Sequence, residues 1–116
     1  MRLSISFGGD IKRMNSELAN YSWPFDQDPN VGALTTRQVL ELNLPSLVVT
    51  HYSDDHSWAF VCGTTEQYKE DGRLVCMADV LKRDPSLREI ADLPPGWSAE
   101  RDNVGSEWLR YPNDDA

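Results

Sequence analysis

Residues 47–62 constrain the fold more than any other part of the chain. Leu47-Val48-Val49-Thr50-His51-Tyr52 and Ser57-Trp58-Ala59-Phe60-Val61-Cys62 are two short runs of β-branched, aromatic and aliphatic residues, separated by Ser53-Asp54-Asp55-His56. Runs of that composition extend, and a four-residue polar link turns the chain back on itself, so the segment predicts a β-hairpin. Alternate side chains of a strand point to opposite faces. Trp58, Phe60 and Cys62 therefore share one face, and because Ala59 and Val61 on the other are apolar too, both faces need cover. The second strand is expected inside a sheet rather than at its edge. Gly63 ends it, 64–72 forms a polar excursion, and Leu74-Val75-Cys76-Met77 supplies a third apolar strand.

Helix signals frame this unit. Thr35 followed by Gln38 fits a capping box, in which the hydroxyl accepts from a free backbone N–H and the amide reaches back, so a short helix is expected from Thr36. It turns Val39 and Leu40 to the core and ends before Pro45, because the residue preceding proline is driven out of the helical region. Asp79 can cap a turn through Leu81. Asp84-Pro85 then starts another helix with aspartate at the cap and proline at the first helical position, carrying Leu87, Ile90 and Ala91 as one apolar stripe. That helix stops at Leu93-Pro94-Pro95-Gly96. Residues 97–101 read as extended, 102–105 as a turn and 107–111 as a closing strand.

At the other end of the chain, Leu3-Ser4-Ile5-Ser6-Phe7 alternates like a half-buried strand and Ile11 to Tyr21 reads as a short helix. Two prolines and two aspartates make 23–30 a loop, and 112–116 is expected to fray. The expected fold is α+β, a small antiparallel sheet with short helices packed on one face, in one domain over residues 1–116. Of the four tryptophans, Trp58 and Trp108 in strands are expected in the core, and Trp23 and Trp97 at loop edges are expected to be partly exposed.

Charge narrows the function. Nineteen Asp and Glu against eleven Lys and Arg leave a net charge of -8, with the excess in both halves of the chain. Such a surface repels a phosphate backbone, so nucleic acid is excluded as a partner and a basic protein is favoured. No apolar run approaches the ~18 residues of a membrane span, and MRLSISFGGDIKR lacks the apolar stretch of a signal peptide, so a cytoplasmic location is expected. In that reducing compartment Cys62 and Cys76 read as two small buried hydrophobes rather than a disulfide.

No catalytic constellation emerges. Cys62 follows Ala59-Phe60-Val61 in a strand read as buried, where an apolar setting disfavours the thiolate a nucleophile needs. No Gly-x-Ser-x-Gly turn or phosphate-cradling glycine loop occurs. The two cysteines are fourteen apart and the histidines five apart, neither a recognised metal spacing. His51 and His56 do flank the turn carrying Asp54 and Asp55, which draws an alternative: a small metal-binding protein or hydrolase built on those four residues. Against it stands a solvated turn, since aspartate accepts from backbone amides nearby. No cofactor is expected. The adjacent carboxylates Asp54-Asp55 and Glu70-Asp71, with Glu66, fall in predicted loops at strand ends, where they read as ionised and suited to meet a cationic partner.

Several ordered motifs carry a resemblance. Thr35-Thr36-Arg37-Gln38-Val39-Leu40, the strand ending His51-Tyr52-Ser53-Asp54-Asp55, the Trp58-x-Phe60-x-Cys62-Gly63 run and the segment Asp84-Pro85-Ser86-Leu87 to Leu93-Pro94-Pro95-Gly96-Trp97-x-Ala99 are similar to the DUF2185 family over about residues 35–111. That family is associated with bacterial immunity proteins of polymorphic-toxin systems. The resemblance implies a small cytoplasmic protein that binds a cognate toxin and blocks it without catalysis. On that reading Asp54, Asp55, Glu66, Glu70 and Asp71 are the expected partner contacts.

Overall fold

The computed structural model describes residues 23–63 and 69–116; the strand expected at 3–7, the helix expected at 11–21 and Glu66 lie outside them. The chain order is β1 (Gly32–Thr36), α1 (Arg37–Leu40), β2 (Val48–His51), β3 (Trp58–Val61), a 3-10 turn (Lys69–Asp71), β4 (Gly72–Cys76), α2 (Met77–Arg83), a 3-10 helix (Pro85–Ile90), β5 (Trp97–Glu100) and β6 (Leu109–Pro112). The strands form one sheet in the order β4-β1-β3-β2-β5-β6. The class is α+β, as expected.

The hairpin forms with Val48 opposite Val61 and His51 opposite Trp58, closed by the Tyr52 amide donating to Ser57 O at 2.9 Å. His56 takes the last position of the turn at φ 60°, in the left-handed region that lets a four-residue link rejoin the strand. As its apolar character on both faces demanded, β3 is interior, flanked by β2 and β1. One feature of the sheet differs from expectation: β1 runs parallel to β3, with Leu34 beside Ala59, so the sheet is mixed. The other pairings are antiparallel.

The strand β1 occupies the place read as the start of a helix. Thr35, expected to cap, instead donates its hydroxyl to Phe60 O at 2.6 Å across the parallel pair, and Gln38 turns to Asp71. The helix α1 is a single turn whose N-cap, Thr36, makes no side-chain capping bond. By contrast Asp84 caps as its sequence dictates, accepting from the Ser86 amide, with Pro85 at the first position. The run Leu74-Val75-Cys76 is a strand, but an edge strand; Leu74 is 75% exposed and Cys76 is exposed too, a correction to its expected burial. Neither cysteine is in a disulfide, and β1 lies between the strands that lead to them.

The core lies on one face of the sheet. Ala33, Val49, Trp58, Phe60 and Ala99 pack there against Met77, Val80 and Leu81 of α2, Leu87 and Ile90 of the 3-10 helix, and Leu93. Phe25, in the loop before β1, joins them edge-to-face with Trp58, ring centres 4.9 Å apart, so this loop carries a core residue. Trp108 is half-buried rather than fully enclosed, packed against the core with the Arg101 guanidinium 4.3 Å above its ring. The tail does not fray: Ser53 Oγ donates to Ala116 O, and Asn113 bonds both Gly96 O and Ser98 Oγ. No helix among the described residues is long and apolar enough to cross a membrane.

Candidate functional site

The turn between β2 and β3 is built for display. Asp54 Oδ1 accepts from the Asp55 amide at 2.8 Å and Asp55 Oδ1 from the Ser57 amide at 2.9 Å, fixing the loop while both carboxylates stay exposed. Hydrogen bonds from Ser57, first its hydroxyl and then its amide, hold the Asp55 carboxyl below the usual range, so it remains charged at neutral pH.

More carboxylates converge on this end of the sheet. Since His51 pairs with Trp97 and Trp97 with Pro112, β6 ends at the same end of the sheet as β2, across β5, which brings Asp114 and Asp115 towards the turn. The Ser53–Ala116 bond seals that approach. From the loop before β1 come Asp26 and Asp28. Asp26 Oδ1 accepts from Trp58 Nε1 at 2.9 Å, and the Gln27 amide donates to His56 O at 3.0 Å, tying this loop under the hairpin. A rigid aromatic scaffold thus carries six aspartates on three separate segments, Asp26, Asp28, Asp54, Asp55, Asp114 and Asp115.

The imidazoles are disposed differently from the metal-site alternative. His51 is buried, its ring stacked on Trp58 at 3.9 Å, and its Nδ1 lies 2.7 Å from Leu93 O. A carbonyl only accepts, so Nδ1 carries the proton and Nε2 turns towards Asp26 Oδ2, 3.1 Å away though not aligned as a hydrogen bond. His56, more than half exposed, has Nδ1 4.0 Å from the same oxygen. The acid that meets both histidines is therefore Asp26. Asp54 and Asp55 bond within their own turn. Among the described residues no three His, Cys, Asp or Glu side chains are placed to hold a metal ion.

The second acidic pair is not where the first is. Because β1 and β3 run parallel and Gly72 pairs with Thr36, Glu70 and Asp71 sit beyond the C-terminal ends of those strands, opposite to the hairpin turn. Glu70 is exposed there. Asp71 is 6% exposed, which corrects its reading as an open loop carboxylate: its oxygens meet Arg37 Nε at 3.3 Å and Gln38 Nε2 at 3.0 Å, locking α1 to the start of β4. Asp26, Asp28 and the tail stand outside the expected partner contacts, and strand pairing with the Gln27–His56 bond brings them to the end that carries Asp54 and Asp55. No family model matches this chain, and no curated protein or solved structure matches it.

Proposed function

We propose that this is a non-catalytic immunity protein, of the kind implied by its resemblance to the DUF2185 family, which neutralises a cognate toxin domain by docking the anionic hairpin end against a basic surface. The observation that carries the reading is the gathering of six aspartates at one end of the sheet, with Asp54 and Asp55 exposed on a turn fixed by its own hydrogen bonds. Exposed ion pairs are worth only about 0.2–1 kcal/mol each, so no single aspartate anchors the complex. Their summed field acts on encounter, where complementary charge raises association rates by roughly 10–1,000-fold at low salt. An inhibitor of this kind needs a stiff, pre-formed surface rather than a reactive group, because each side chain ordered on binding subtracts from affinity.

The test is capture and kinetics with a toxin domain encoded beside this protein's gene. The full chain should bind it at one to one and abolish its activity on co-expression. Changing Asp54, Asp55, Asp114 and Asp115 together to Asn should slow association at least about tenfold and flatten its salt dependence, with dissociation changed less. Glu70→Gln, at the opposite end, should leave the rate unchanged. Association that is independent of salt and indifferent to the fourfold change would overturn the docking mode.

A further inference from the structure

A cavity of about 370 Å³ opens on the core side of the sheet at the end away from the hairpin turn. Its floor is Phe60 and Thr35 at the C-terminal ends of the parallel pair, and its walls carry the apolar side chains of Val39, Leu40, Leu44 and Val80 together with polar Ser46 and Asp84. Two exposed polar residues stand at the rim, Asn43 and Arg83. Asn43 is held there at φ 58°. The volume lies within the roughly 300–1,000 Å³ of small-ligand sites. The apolar part of the lining would gain dispersion contacts from an inserted alkyl chain.

The rim decides the head group. Arg83 donates to Leu40 O at 3.3 Å and, among the described residues, meets no carboxylate within ion-pair distance, in a chain with nineteen acids. The nearest candidate by sequence, Asp84, also lines the cavity but is bound by Arg101 at 2.7 Å and by Ser86. A shallow groove continuous with the cavity through Leu40, Val75 and Arg83 adds a second cation, Lys82, beside Asp79. We propose that this cavity binds a single-chain organic carboxylate, its alkyl tail over Phe60 and Val80 and its head group on Arg83. This site is separate from the anionic end and independent of the docking reading.

Isothermal titration of the full chain with straight-chain carboxylates from hexanoate to dodecanoate, below their micellar concentrations, tests it. One saturable site is expected, with affinity rising about fourfold per methylene and then levelling off when the tail outgrows the cavity. The alcohol of equal length should bind about tenfold more weakly, and Arg83→Gln should erase that difference while leaving alcohol binding intact. Leu40→Trp should close the cavity to both, with near-ultraviolet circular dichroism reporting the native tryptophan packing; if that variant misfolds, the Arg83→Gln comparison still decides. The absence of a saturable site in the folded chain, affinity that climbs without levelling, or equal binding of acid and alcohol would each overturn the proposal.

Discussion

Arg101 is the residue on which most separate segments depend. Its side chain is wholly buried, pairs with Asp84 at 2.7 Å, donates to Ser46 O at 3.0 Å and to Ser86 Oγ at 2.8 Å, and lies on the Trp108 ring. It joins the end of β5 to the entry of β2 and to the cap of the 3-10 helix. Removing Arg101 leaves the Asp84 carboxylate without its counter-ion, held only by Ser86, and strips the partner from Ser46 O, so Arg101→Ala should cost about 3–5 kcal/mol in urea denaturation. Gly63 shows a different constraint. It sits at φ +69°, and a Cβ there would lie 2.4 Å from Val48 Cγ2. Gly63→Ala should lose at least about 2 kcal/mol, while Gly105→Ala, at φ +92° with nothing within 4 Å, should lose only about 1 kcal/mol. Thermal melts of the pair separate the clash from the backbone strain they share.

Among elements, β4 and the 3-10 helix make the contrast between apolar residues that hold the fold and those that do not. Both read as hydrophobic in sequence. Leu87 in the helix is 1% exposed within the core, whereas Leu74 projects from an edge strand at 75% exposure, directly across from Leu34. Leu87→Ala should therefore cost about 2–5 kcal/mol, and Leu74→Lys less than about 0.5 kcal/mol. A lysine on an exposed edge also opposes strand-to-strand association, so sedimentation of Leu74→Lys should show less self-association at high concentration than the native chain. The hairpin was legible because its strands and turn are adjacent in sequence. The strand β1 was not: Gly32-Ala33-Leu34-Thr35-Thr36 has little strand character of its own, and it extends because a slot between β3 and β4 awaits it.

For the whole molecule, pH tests how the last two strands are fastened. The Arg110 guanidinium, hydrogen-bonded at 2.8 Å, holds the Asp92 carboxyl below the usual range, and the Tyr111 phenol is raised because it donates to the Glu100 carboxylate. A depressed carboxyl stabilises the fold above its ordinary value near 3.8 and loses that contribution as pH falls through the lowered value. A raised phenol does the reverse, stabilising below about 10 and losing it as pH rises beyond. The denaturation midpoint should be level near neutrality and fall on both sides; Tyr111→Phe should flatten the alkaline limb and Asp92→Asn the acid one. The sequence alone determined the hairpin, the Asp84-Pro85 cap, the α+β class and the excess of negative charge, because each is written by neighbours within a few residues or by composition. Only the tertiary structure decided that β1 runs parallel to β3, that Asp71 faces inward, that Arg101 is enclosed and that the tail returns to the hairpin. Those outcomes depend on which distant strands pair, and pairing is settled by the joint burial of surfaces that no local stretch of chain contains.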